Sequence, residues 1–307
     1  MGRLYSIEQR NGHSIFRCNF CSFEAERQGD ILRHLNPKDP NRCKVRNWEA
    51  PRLVYLAAGI GERLRPFAYT NPKALIEFEG VSITEMCLQT FGKLGVTEAA
   101  IVIGHFGDMI RQRLGDTYNG IRIRYFHNPF YPITGAAHSL WLTREFFEGK
   151  PSIIMDGDHL IDPRLLSSLM SAPYENCMLV DDTRVVEKPS EETVVVGRDG
   201  IIKYLAWSPT GELFRMIEPE DVVGEALLIV RLEAKASMAL SYEVDRHLRE
   251  GRGGRFEIIE PLNNTFNRHD TWYISTQGLP WIEIDFNYDL ERARNEIFPA
   301  IKEGKGD

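Results

Sequence analysis

One short string constrains this chain more than any other. Arg52-Leu53-Val54-Tyr55-Leu56 is an apolar run suited to a strand buried on both faces. Ala57-Ala58-Gly59-Ile60-Gly61-Glu62-Arg63-Leu64-Arg65-Pro66 follows it directly. Small residues let a backbone approach a ligand closely, and glycines supply the left-handed turns such a loop needs. Successive N–H groups in a turn of this kind form a nest for an anion. Arg63, with Lys73 further on in Thr70-Asn71-Pro72-Lys73-Ala74-Leu75, supplies the positive charge that a triphosphate requires. No Gly-Lys-Ser/Thr follows, so the loop is not a Walker A motif, and the third glycine of the dinucleotide fingerprint is missing.

Downstream, the pattern alternates. Ile83–Leu94 has helical spacing, Ala99–Gly104 reads as a strand, Gly107–Leu114 as a helix and Ile121–Phe126 as a strand. Strands alternating with helices predict an α/β domain with a mainly parallel sheet, its ligand beyond the carboxyl ends of the strands. Ser152-Ile153-Ile154-Met155 is a further buried strand, and it ends in Asp156-Gly157-Asp158-His159. Carboxylates at a strand end beside a phosphate loop suit Mg²⁺, which takes one or two of them and completes its octahedron with substrate oxygens and water. Near the end of the chain, Pro280-Trp281-Ile282-Glu283-Ile284-Asp285-Phe286 alternates as a strand, and Tyr288-Asp289-Leu290 opens a helix. Glu283 and Asp285 fall on the same strand face, and Asp289 belongs to the first turn of that helix.

The three blocks, L-A-A-G-x-G-x-R-L-x-P with P-K-A-L, D-x-D-H and W-x-E-I-D, resemble the sugar-phosphate and phosphocholine nucleotidyltransferases, and most nearly the phosphocholine cytidylyltransferase branch. The resemblance covers residues ~52–300 and implies a Rossmann-like (GT-A-like) domain. It implies that Leu56, Ala57, Ala58, Gly59 and Gly61 wrap the nucleotide, that Arg63 and Lys73 meet its phosphates, and that Asp158 and Asp285 hold Mg²⁺. Asp156 and Glu283 would be auxiliary. The reaction so implied needs no enzyme nucleophile: an acceptor phosphate attacks the α-phosphorus of CTP in line and expels pyrophosphate. The acceptor that the resemblance implies is a small phosphorylated alcohol or amine of the phosphocholine kind.

Val223-Gly224-Glu225-Ala226 and Asn128-Pro129-Phe130-Tyr131 with Gly135-Ala136-Ala137-His138-Ser139-Leu140 resemble that branch's middle segments, but depart from them at an expected glycine and asparagine. Tyr131, Trp207, Trp272 and Tyr273 are candidates for caging a quaternary ammonium. Glu187-Lys188-Pro189 resembles a sugar-phosphate motif but precedes a hairpin, Val194–Val196 and Ile201–Tyr204, and reads as a solvated loop. A sugar-1-phosphate nucleotidyltransferase using UTP, dTTP or GTP is the alternative. A second alternative is a zinc-finger regulator whose large domain only senses nucleotide.

The first fifty residues differ from the rest. They hold nine Lys/Arg against six Asp/Glu, whereas the whole chain of 307 residues carries −7. Cys18-x2-Cys21, His34 and Cys43 resemble the ligand set of a zinc finger with a cysteine in the last place, a mixture that a closed structural zinc site accepts. So few large apolar side chains could hardly fold alone without such a staple. The expected organisation is a zinc-finger-like module over 1–50 and a nucleotidyltransferase domain over 51–307. Packing of the module on the large domain, or on a protein partner, is expected rather than nucleic-acid binding, because Glu24, Glu26 and Asp30 interrupt its basic residues. A homo-oligomer is compatible with the sequence. No run approaches a membrane span and no apolar leader opens the chain, and five cysteines argue against a disulfide framework. A cytoplasmic location without a membrane partner is the expectation.

Overall fold

The computed structural model describes residues 5–10, 13–18, 24–34, 49–183, 193–207, 216–218, 221–251 and 258–304. Its centre is a ten-stranded sheet. Arg52–Ala57 lies in the middle, parallel to Ser152–Asp156 on one side and to Glu98–Ile103 on the other, with Ile121–His127 parallel beyond. The central strand is buried on both faces, as its apolar run predicts. Leu53 and Tyr55 pack with Phe91 and Ile101 on one side, and Val54 and Leu56 with Leu140 and Phe147 on the other.

The helices covering this half start where the sequence provides caps. Ile83–Lys93 opens on a capping box: the Ser82 hydroxyl accepts the Glu85 N–H, and the Glu85 carboxylate accepts the Ser82 N–H at 2.9 Å. Glu85 also pairs with Arg113 of the next helix, Gly107–Leu114, at 3.0 Å. Strands and helices of this half fall within a residue or so of the expected limits.

The other half corrects the expectation of a mainly parallel sheet: the sheet is mixed. Val222–Leu232 runs antiparallel to Ser152–Asp156, and Val194–Arg198 forms a hairpin with Ile201–Ala206. Asp199 and Gly200 at the hairpin tip both have positive φ, 56° and 84°, and a two-residue turn of that kind can join only antiparallel neighbours. Cys177–Asp181 pairs with both Val222–Leu232 and Trp272–Ser275, so five strands close a ring of pairings.

Two features carry distant segments to the carboxyl ends of the parallel strands. His159–Ile161 pairs antiparallel with Trp281–Glu283 in the register His159↔Glu283. Leu64, Ile76, Leu160, Ile282, Ile284 and Ile301 form an apolar cluster that packs the arm after the glycine loop against the chain's last segment. The Pro280–Phe286 run is strand only over Trp281–Glu283. The next N–H, that of Ile284, is spent on the carbonyl of Asp158 at 3.0 Å, and the chain turns into the helix Asn287–Arg292.

Near the N-terminus, Tyr5–Arg10, His13–Cys18 and Glu24–Ala25 form a separate three-stranded sheet followed by the helix Gln28–His34, with Cys18 and Ile31 buried. Cys21, Cys43 and the side chain of His34 lie outside the described residues, as does Glu187-Lys188-Pro189. Among the described residues no helix is long and apolar enough to cross a membrane.

Candidate active site

The glycine loop forms one wall of a cavity of about 340 Å³ at the carboxyl ends of the parallel strands. Leu56, Ala57, Ala58 and Gly59 line it, with Arg63, Lys73, Asp156, Asp158, Glu283 and Asp285. Gly61 is not among the lining residues. It sits at φ 68°, a left-handed turn that starts the 3-10 helix Glu62–Leu64 and so directs Arg63. Gly157 serves by being small: a Cβ there would lie 2.7 Å from the carbonyl oxygen of Leu56 and 3.1 Å from the Cα of Ala57. Its N–H donates to that same carbonyl at 2.9 Å, which holds the acidic turn against the glycine loop.

Residues expected from three remote blocks meet here. Lys73 Nζ donates to Asp158 Oδ2 at 2.9 Å and also to Asp285, and Arg63 donates to Asp285 from the other side. Asp158, Glu283 and Asp285 each offer an oxygen, all within 4.8 Å of one another; among the described residues this is the group of side chains that could hold a metal ion. Asp289 stands in the first turn of the helix Asn287–Arg292, as expected. Its carboxylate accepts the N–H groups of Asp285 and Phe286 at 3.1 and 2.8 Å, which fixes the backbone carrying Asp285.

The electrostatics follow from crowding. Withdrawal from solvent, then the charges of Asp158 and Asp285, push Glu283 up to about 8. Withdrawal from solvent opposes the charge on Lys73 and on Asp158, but their mutual attraction outweighs it: Lys73 is held above its ordinary value and Asp158 below its own. His159 is buried with Nδ1 3.2 Å from Asp158 Oδ1. Burial disfavours its charge, yet Asp158, with Glu283 and Asp156 behind it, raises it to about 9. A third carboxylate that resists ionisation among its neighbours, in an all-oxygen donor set, is what a hard divalent cation would relieve. The residues present therefore fit Mg²⁺.

Asn128, Tyr131, Ser139, Trp207, Glu225 and Leu228 also line the cavity. Buried Asn128 donates to Thr134 and Ser139 at 3.1 and 3.2 Å and accepts the Phe130 N–H at 2.9 Å, so it organises its own loop. Only two of the four candidate cage aromatics reach the cavity. Tyr131 and Trp207 line it, whereas Trp272 stacks on Tyr174, ring centroids 4.5 Å apart, and Tyr273 packs against a core cluster on the strand Trp272–Ser275.

Other contributors carried no readable signal. Leu228 has φ 51° within the long strand, beside the register shift between Met178 and Val180, a bulge that bends the strand at the cavity. Asp181, buried, accepts the Trp281 indole N–H at 2.9 Å and the Thr276 hydroxyl at 3.1 Å, and so fixes the strand that bears Glu283.

Residues 53–193 match the family described as Nucleotidyl transferase. A CMP-5'-(3-aminopropyl)phosphonate synthase of Streptomyces rubellomurinus is 34% identical over 151 residues, 49% of this chain and 24% of that protein. The UTP–glucose-1-phosphate uridylyltransferase AglF of Haloferax volcanii is 35% identical over 114 residues, 37% of this chain and 46% of that protein. The chain thus spans less than half the length of these curated relatives. Among solved structures, the CTP:phosphocholine cytidylyltransferase LicC of Streptococcus pneumoniae shares the fold with a TM-score of 0.61 at 16% identity, over 80% of this chain and 98% of that one. The match to the nucleotidyl transferase family is thus confined to residues 53–193, a little under half of the chain.

Proposed function

We propose that this chain transfers CMP from CTP to a small phosphorylated amine or alcohol and releases pyrophosphate. One observation carries the reading: the glycine loop, its two basic side chains and carboxylates from two distant segments all line one cavity. In this reading the backbone of Leu56–Gly59 cradles the nucleotide, and Arg63 and Lys73 hold the phosphates against the repulsion of the incoming acceptor phosphate. Mg²⁺, bound by Asp158 and Asp285 with Glu283 beside them, would supply charge neutralisation and in-line orientation. The attacking oxygen is already ionised, so no side chain needs to act as base, and positioning and charge account for the catalysis.

Support for a cytidine nucleotide comes from a relative named for a CMP-linked product and a structural neighbour named for CTP, and support for an amine-bearing acceptor from Glu225, Trp207 and Tyr131 in the cavity lining, since a carboxylate with aromatic faces suits an ammonium. The similarity to a uridylyltransferase favours a second reading, a sugar-1-phosphate acceptor with UTP. A matrix of the four NTPs against phosphocholine, phosphoethanolamine and sugar 1-phosphates, read as pyrophosphate, separates them. Our reading expects the largest rate with CTP and a phosphorylated amine; a largest rate with UTP and a sugar 1-phosphate would replace it. For the N-terminal segment we propose a structural zinc ion on Cys18, Cys21, His34 and Cys43. Elemental analysis of the full chain should find about one zinc per molecule, and none would remove that assignment.

A further inference from the structure

Arg63 is held by two partners, and only one of them is a carboxylate. Its guanidinium carbon lies 4.5 Å from the centroid of the Phe286 ring. Phe286 is itself stacked on Tyr288, centroids 5.0 Å apart and planes 11° from parallel. The backbone beneath the ring is fixed by Asp289, which accepts the Phe286 N–H at 2.8 Å. One residue further, the Asn287 side-chain amide donates to the carbonyl of Arg65 at 2.9 Å. The last segment of the chain therefore grips the glycine loop at two points, one a side chain and one a backbone carbonyl.

We propose that Phe286 is a positioning residue for Arg63, a platform that keeps the guanidinium at the phosphate end of the cavity. The inference rests on the functional reading above. Arg63 is half exposed, with 53% of its side chain open to solvent, so without a platform it has many rotamers to choose from. Asp285 alone cannot do this work: a bound Mg²⁺ would draw on the same carboxylate and loosen its hold on Arg63. An aromatic face makes no such demand. It attracts the cation through the ring quadrupole and leaves the guanidinium edges free to donate to phosphate oxygens. Arg65 has a similar bed on Tyr69, at 5.3 Å, but that ring lies on the same loop. The bed of Arg63 comes from the other end of the chain, so it also couples the glycine loop to the segment bearing Asp285.

The test compares Phe286→Leu, which keeps apolar bulk, with Phe286→Tyr, which keeps the π face, in the full chain with Mg²⁺. Phe286→Leu should raise KM for the NTP about threefold to tenfold while kcat stays within about twofold, the range expected from a partly desolvated cation–π contact. Phe286→Tyr should retain the wild-type KM. In an Arg63→Gln background, Phe286→Leu should add nothing further. Calorimetric titration with each of the four NTPs and with inorganic tripolyphosphate should show the same ordering. Wild-type KM in Phe286→Leu, or an equal further rise in the Arg63→Gln background, would overturn the platform while leaving the functional reading intact. Failure of the wild-type chain to bind any of these probes would overturn both.

Discussion

Lys73 Nζ stands 2.9 Å from Asp158 and also donates to Asp285, so one ammonium bridges carboxylates 127 residues apart in sequence. The small sheet between His159–Ile161 and Trp281–Glu283 makes that bridge possible, because its register sets the two acidic segments side by side. Lys73 pairs with the same carboxylates that would hold a metal. Replacing it with the uncharged, similarly shaped methionine should therefore have two effects. Lys73→Met should lose about 10²–10³-fold in kcat, the usual consequence of removing one charge-stabilising donor. It should also bind Mn²⁺ more tightly than wild type in the absence of nucleotide, as read by electron paramagnetic resonance. Weaker binding of Mn²⁺ would show that Lys73 does not compete for the carboxylates.

The acidic cluster also dictates a pH dependence for the metal-free chain. Glu283 sits near 8 when folded, against 4.5 for an ordinary glutamate, so between those values the native state holds a proton that the unfolded chain has released. Stability then falls as pH climbs through this window. His159 adds a decline of the same sign between 6.5 and about 9. Thermal melting in a chelator from pH 5 to 9 should show a falling midpoint, and Glu283→Gln should flatten the fall. An unchanged slope in Glu283→Gln would remove Glu283 from the cluster.

Gly157 tests the packing beneath the site. A methyl group there must displace the carbonyl of Leu56 or the backbone of Ala57. Gly157→Ala should lose about 1–3 kcal/mol in denaturant unfolding, the range for overpacking a tight contact, with activity falling as the glycine loop shifts from Asp158. Wild-type stability and rate together would mean that the two loops have room the geometry does not show.

Much of this could be read before the structure, and the reasons are local. The glycine loop, the strand before it and Asp156-Gly157-Asp158 lie at one strand end or its neighbour, where periodicity and turn chemistry determine position. Asp285 was reachable only through family resemblance, since its approach to Asp158 depends on a pairing between strands 120 residues apart. The same limit hid Phe286 and Asp181, whose partners, Arg63 and Trp281, are remote. Trp272 and Tyr273 failed as cage candidates because composition says that an aromatic is present, not which face of which strand it occupies. The antiparallel half lies beyond local pattern, because the sequence shows the hairpin but not its place beside the parallel strands.

Asp289 supports Asp285 without touching the cavity. Asp289→Ala leaves two backbone donors without their acceptor and should lose about 0.5–2 kcal/mol, as other N-terminal capping losses do. Its kcat should fall while KM for the acceptor stays near wild type, because the change acts on where Asp285 points. A rise in acceptor KM with unchanged kcat would contradict that role.

The central claim is that Asp158 and Asp285 together hold the metal for nucleotidyl transfer. The most direct measurement is pyrophosphate release from CTP, with Mg²⁺ and a phosphorylated amine, by wild type, Asp158→Ala and Asp285→Ala. Wild type should release one pyrophosphate per CMP-linked product and none without acceptor or metal, and each variant should fall at least about 10²-fold. Full activity in either alanine variant, or none in wild type with any NTP and acceptor tried, would contradict it.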